Sequence, residues 1–191
     1  SGLVDDPNVS QYRLTAHLGM AVFIYSLILW TVFDLSLNYD HAIRSRIKWM
    51  SSTLTLLIFL MILSGGLVAG TRAGIPFPTW PLMGDTFIPP QIYSMNPSWL
   101  SAFEDMATIQ FNHRVFEYLL TIFIVIFAIV LLGSNVPRFL KNGTTVLLFV
   151  LSLQVVLGIS TLLFYIPIPV AAAHQVLSLI HISEPTRPRS I

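Results

Sequence analysis

The sequence predicts an all-α, polytopic membrane protein. Of its 191 residues, 54% are hydrophobic and only 10% are charged, whereas a soluble domain carries roughly 25% charged residues. The mean hydropathy is +0.75. Several uncharged runs also reach the length of about 20 residues needed to cross a hydrocarbon core of about 30 Å at about 1.5 Å per residue. Such runs must be helical, because a segment in lipid has to satisfy its own backbone N–H and C=O groups.

Leu14 to Phe33 is the first run, Trp49 to Gly70 the second and Tyr118 to Val136 the third. Asn142 to Ser183 is one long uncharged stretch interrupted by YIPIPV. Proline lacks a backbone donor and breaks a helix, so Pro167 and Pro169 divide it into a fourth span near Thr144 to Tyr165 and a fifth starting near Val170. The fifth meets Glu184 after about 14 residues, short of a full crossing, and reads as truncated. Ser1 is not an initiator methionine, and SGLVDDPNVSQYR has no signal-peptide pattern, so the sequence is expected to begin mid-protein. The stretch HISEPTRPRSI, residues 181–191, ends an apolar helix abruptly and is expected to be a non-native tail.

Lys and Arg collect on the inner side of a membrane. Arg44, Arg46 and Lys48 sit in one short connection and Arg138 and Lys141 in another, which places both inside. The segment from Thr71 to about Met106 is then outside, together with residues 1–13 and the IPIP turn. Its Pro, Trp and Tyr residues suit a cap at the interface, with Trp80 and Trp99 at headgroup level. A formal net charge of +1 leaves no basic surface for a nucleic acid. Cysteine is absent, which excludes disulfides and thiolate chemistry and leaves histidine as the principal soft-to-borderline ligand.

No exact internal repeat is visible, but the first, third and fifth spans each carry one histidine near the outer end: His17, His113 and His174. Ionisable residues inside a membrane are costly and mark functional candidates. The bland alternative is a neutral imidazole bonded to a neighbouring carbonyl. Three at matched depth favour chemistry. Two imidazoles facing each other across a bundle supply both axial ligands of a haem iron. Zinc would want a third or fourth ligand, and no spaced His or carboxylate cluster offers it. Haem propionates need cations near the outer surface, and Arg13, Arg72 and Arg114 are candidates because the guanidinium fork suits carboxylates. The plainer alternatives are an i, i+3 pair of Arg114 with Glu117 and interfacial snorkelling for Arg13 and Arg72.

Gly66, Gly70 and Gly74, four apart, are a helix-packing signal. Gln154 is expected to hydrogen-bond across the bundle in a structural role. His41 and His181 are assigned no function.

Four separated stretches, GLVDDPNVSQYRLTAHLG, FPTWPLMGDTFIPP, QFNHR and QVVLGISTLLFYIPIPVAAAHQ, closely resemble the haem A synthase family over nearly all of residues 2–177. The resemblance implies eight transmembrane helices in two similar four-helix bundles, each with a haem held by histidines of its second and fourth helices. It assigns His113 and His174 to a haem b of the C-terminal bundle, a pairing that spacing alone does not choose, and His17 to the substrate-haem site of the N-terminal bundle. Residues 1–37 would then be an outer segment and helix of the substrate bundle. Residues 38–180 would be the haem b bundle, with its outer cap loop at 71–106. The fold class expected is an antiparallel transmembrane four-helix bundle plus one helix from the other bundle.

The implied reaction oxidises the C8 methyl of haem O to a formyl group, with haem b relaying electrons from a ferredoxin-type donor. The partner of His17 and an adjacent glutamate would lie upstream of Ser1, so this stretch alone is expected to be inactive. Some relatives carry a cysteine pair in an outer loop, which is lacking here. Homo-oligomerisation stays open, as does the choice between a bacterial inner membrane and a mitochondrial inner membrane. The competing readings are a bis-histidine b-type cytochrome, which leaves His17 idle, and a transporter or assembly factor with structural histidines.

Overall fold

A computed structural model describes residues 10–36 and 45–183. The helices are α1 (Gln11–Ser36), α2 (Ser45–Thr71), the short α3 (Ser101–Glu104), α4 (Met106–Leu132), α5 (Arg138–Leu163) and α6 (Ile168–Ser183). Among the described residues, the extended pairing is a single bridge between Met83 and Thr86. Helices α1, α2, α4 and α5 are long and apolar enough to cross a membrane, and α6 has 16 residues. The chain is an all-α polytopic membrane protein, as its composition predicts.

Helix α4 packs on α2 and α5, and α6 packs on α5 and α2, which closes a four-helix bundle. Helices α4 and α6 therefore stand at diagonal corners. Helix α1 lies outside this ring, against α2 and α6. The tightest seam runs between α2 and α4. Ile47, Met50, Leu54, Ile58 and Ile62 recur at three- and four-residue spacing, as a helix face requires, and they cluster with Leu120, Ile124, Phe127 and Leu131. The seam fills the inner part of the bundle and stops at Ile62, just below the level of His113.

The third span departs from the expected bounds. It starts at Met106, well before Tyr118, and ends at Leu132, where Gly133 caps it. Charge interrupts the apolar run at His113, Arg114 and Glu117, but a buried polar face does not end a helix. What starts it is Asp105, whose carboxylate accepts from the Thr108 amide at 2.8 Å and from its hydroxyl at 2.5 Å, an N-cap that satisfies orphan donors. Arg46, Lys48, Arg138 and Lys141 likewise fall within the first turns of α2 and α5 rather than in connections. Cations there oppose the helix dipole, so their position reflects topology. Arg44 and His41 lie outside the described residues.

The glycine spacing read from the sequence divides between two contacts. A Cβ at Gly70 would stand 2.7 Å from the Gln11 Cα, and one at Gly66 would stand 3.0 Å from the Thr15 hydroxyl. Both let α1 lie close on α2. A Cβ at Gly74 would reach 3.1 Å from Ile166, so this glycine lets the turn after α2 meet the turn after α5. Gly70→Ala is expected to push α1 off α2, because the obstacle is backbone rather than a flexible side chain. The cost should be about 1–3 kcal/mol, read as a lower thermal midpoint of the purified protein in detergent. An unchanged midpoint would show that α1 is not seated there.

Candidate functional site: a diagonal histidine pair beneath the outer cap

The cap folds over the outer end of α4 and is tied to it by successive side chains. The Thr108 hydroxyl accepts from the Tyr93 amide at 3.1 Å, and the Asn112 carbonyl accepts from the Tyr93 hydroxyl at 2.8 Å. Gln110 Nε2 donates to the Phe77 carbonyl at 3.0 Å. Arg114 is the centre of this attachment. Its guanidinium donates to the carbonyls of Leu82 at 3.1 Å, Phe77 at 3.1 Å and Thr79 at 2.8 Å. It is 6% exposed. Among the described residues no hydrogen bond joins it to Glu117; the cap carbonyls take its donors in place of the plainer i, i+3 pair. The reason is burial: a guanidinium beneath a loop must satisfy its forked donors locally, and the cap's turn offers three carbonyls. Its Nε–H is buried without a partner.

Beneath that attachment lies His113. Its Nδ1 is 3.0 Å from the Ser64 hydroxyl of α2, and its ring rests beside Gly65, where a Cβ would stand 3.6 Å from Cε1. His174, on α6, repeats the arrangement against α5. Its Nδ1 donates to the Gln154 carbonyl at 3.2 Å, and a Cβ at Gly158 would stand 3.0 Å from its Cε1. A carbonyl can only accept, so Nδ1 of His174 carries the proton and Nε2 keeps a free lone pair. Each is thus turned and braced by a flanking helix, which leaves two Nε2 atoms from diagonal corners.

The match between the two halves extends to the outer turns. Just after α2, Arg72 has φ 56°, and just after α5, Tyr165 and Ile166 have φ 57° and 59°. The amides of Arg72 and Tyr165 bond to Ala69 and Leu162, and the following amides of Ala73 and Ile166 bond to Val68 and Thr161. Both helices close with the same left-handed cap. Gly65 and Gly158 each lie seven residues before that cap.

His17 and Arg13 are exposed on α1, one turn apart on one face, whereas Gln11 and Thr15 face α2. The structure therefore places His113 and His174 on diagonal helices of one bundle and leaves His17 on α1, outside that ring. Arg72 is exposed at the outer end of α2. Among the described residues, His, Cys, Asp and Glu form no group of three or more that would hold a metal ion. Gln154 does cross between helices, with its amide bonded to the Ser178 hydroxyl of α6.

Residues 1–183 match the COX15-CtaA family, described as cytochrome oxidase assembly protein. The chain belongs to that family. It is 44% identical over 185 residues to the haem A synthase of Nitrosospira multiformis, covering 92% of this chain and 50% of that protein. It is 41% identical over 180 residues to the haem A synthase of Nitrosomonas eutropha, covering 92% and 51%. Haem A synthase COX15 of Bos taurus is 38% identical over 175 residues, covering 90% and 42%. The chain spans about half the length of the curated relatives it matches. No solved structure matches it. The resemblance read from the four sequence motifs is thereby confirmed at the level of the family.

Three residues of this COX15-CtaA chain escaped the sequence reading: Ser64, Gly65 and Gly158. A serine or glycine in an apolar run reads as packing. The available signal was the constant distance from each glycine to the turn that follows it.

Proposed function

We propose that the full-length protein is a haem A synthase, in which this chain holds a haem b between His113 and His174. The observation that carries the reading is the pair of braced imidazoles at diagonal corners of one bundle. Three features fit a flat, doubly ligated macrocycle. Each Nδ1 is engaged by a flanking helix, as metal-bound histidines require of their second nitrogen. A glycine lies against each ring. The apolar seam stops below. Bound there, a haem would supply one-electron transfer. The chain's own residues hold the imidazole orientation, exclude water beneath the cap and offer cations to carboxylates.

Arg72, exposed at the outer end of α2, is the proposed propionate partner. Its left-handed φ serves the cap of α2, where an arginine costs of order 1 kcal/mol relative to glycine. Arg72→Gly is expected to keep or raise the thermal midpoint while haem dissociates roughly tenfold faster. A stabilised variant with unchanged haem retention would reduce Arg72 to an interfacial residue. Arg114 contributes to a propionate only through donors left over from the cap.

His17 and Arg13, on the face of α1 turned from this bundle, would serve haem O in a second site. The reaction would hydroxylate its C8 methyl to an alcohol and then to a gem-diol that loses water, with dioxygen as the oxidant, each hydroxylation taking one dioxygen, two donor electrons and two protons and releasing one water. Electrons would come from a ferredoxin-type donor, in a bacterial plasma membrane or a mitochondrial inner membrane. The test supplies haem O and a reducing donor to the full-length protein and identifies the extracted haems. A formyl haem is expected. Bound low-spin haem without any formyl product would instead make the protein a b-type cytochrome.

A further inference from the structure

Outside the histidine pair, two consecutive side chains at the head of α1 converge on one carboxylate of the cap. Gln11 Nε2 donates to Glu104 Oε2 at 2.9 Å, and the Tyr12 hydroxyl donates to Glu104 Oε1. These residues are more than ninety positions apart. Glu104 ends α3, and the next residue, Asp105, is the N-cap of α4. Two neighbouring acidic residues therefore face two ways: Glu104 holds α1, and Asp105 starts the helix that bears His113.

The clasp acts at the outer end of α1, a helix that rests mainly on α2 and to a smaller extent on α6. Its backbone at Gln11 is pressed on Gly70 and at Thr15 on Gly66, which fixes its approach to α2. Deeper along α1, Val22 and Leu18 join the core cluster, whereas the first turns rest on glycines, which offer little side-chain surface to fix their orientation. Hydrogen bonds from Gln11 and Tyr12 to a point on the cap add a constraint at that end. Arg13 and His17 follow directly on α1, so the azimuth of their face depends on where Gln11 and Tyr12 are held. A carboxylate acceptor also makes both bonds charge-assisted, about twice as strong as neutral ones.

We propose that Glu104 is a positioning residue: it clasps the head of α1 and so sets the placement of the His17 face relative to the His113 helix. The proposal rests on the reading above in one respect, that His17 serves a second haem. Two sites that exchange electrons need a fixed relative geometry, and a displacement of about 1 Å in a reacting pair costs as much as a hundredfold in rate.

The experiment uses the full-length protein on a background free of other cysteines. Spin labels at Met20→Cys on α1 and Leu119→Cys on α4, both exposed positions, report the distance distribution between the helices. Glu104→Ala and Tyr12→Phe are each expected to broaden it. The double variant should be no broader than Glu104→Ala alone, because Tyr12 acts through Glu104. Glu104→Gln keeps an acceptor for Tyr12 and should restore most of the wild-type distribution. Haem b absorbance should stay at its wild-type level in all four, while formyl-haem production falls about tenfold in Glu104→Ala.

An unchanged distance distribution in Glu104→Ala would overturn the proposal, as would additive broadening in the double variant. Loss of haem b in Glu104→Ala would also overturn it, by making Glu104 a general stability residue. Should the wild-type protein bind no haem, the reading of function would fall while the label distances still decide the clasp.

Discussion

His174→Ala in the full-length protein is expected to abolish the low-spin haem b spectrum, and His113→Ala to do the same. Removing a residue that merely orients a metal ligand costs about 10–100-fold in affinity, and removing the ligand itself should cost more than that upper figure. The structure adds a graded expectation that separates ligation from packing. On the His113 side the bracing partner is the Ser64 side chain, at 3.0 Å, so Ser64→Ala should weaken haem retention about tenfold while leaving the spectrum low-spin. On the His174 side the partner is the Gln154 backbone carbonyl, which no side-chain substitution removes. Gln154→Leu should therefore spare the haem, with a modest loss of stability from the broken bond to Ser178. The measurement is haem content per protein, together with the reduced-minus-oxidised spectrum. Wild-type haem content in either histidine variant would end the assignment.

How far these expectations were legible in the sequence depends on the kind of signal. Uncharged length placed α1, α2 and the end of α5 within a few residues, since a hydrocarbon slab enforces a minimum run. The same rule misplaced the start of α4, because it treats charge as an end. His113 and Arg114 are instead polar residues inside a helix, one braced by Ser64 and the other by cap carbonyls. Matched depth made the histidines candidates, but depth along a span carries no azimuth. Only the packing order of α2, α4, α5 and α6 puts two of them at diagonal corners. The small residues show the same limit. Gly66 and Gly70 announced themselves by spacing, whereas Gly65 and Gly158 matter because an imidazole lies against each, and no local pattern says so. Arg114 was chosen as a charged partner for an acid. Its carbonyl partners lie more than thirty residues upstream, in a loop whose path the sequence does not give.

That loop supplies the second large expectation, for Arg114→Met. The methionine fills much of the volume but removes every donor, leaving the carbonyls of Phe77, Thr79 and Leu82 to find new partners beneath the cap. Hydrogen bonds to a charged group contribute about 1.5–3 kcal/mol each, and an abandoned buried acceptor adds its own desolvation penalty. Phe77 keeps the bond from Gln110, so the loss falls mainly on Thr79 and Leu82. A net cost of about 3 kcal/mol then corresponds to roughly a hundredfold rise in the open-cap population, at about 1.4 kcal/mol per tenfold. Limited proteolysis reads that population directly when opening is fast relative to cleavage, and cuts within residues 71–106 should appear about a hundredfold faster. Arg114→Lys retains the charge but not the planar fork. A single ammonium cannot span the three carbonyls, so its cleavage rate should fall between wild type and Arg114→Met. Haem loss in these variants should follow cap opening, lagging behind cleavage. Haem loss with an intact, protease-resistant cap would mean that Arg114 acts on the haem itself, and the anchoring role would have to be given up.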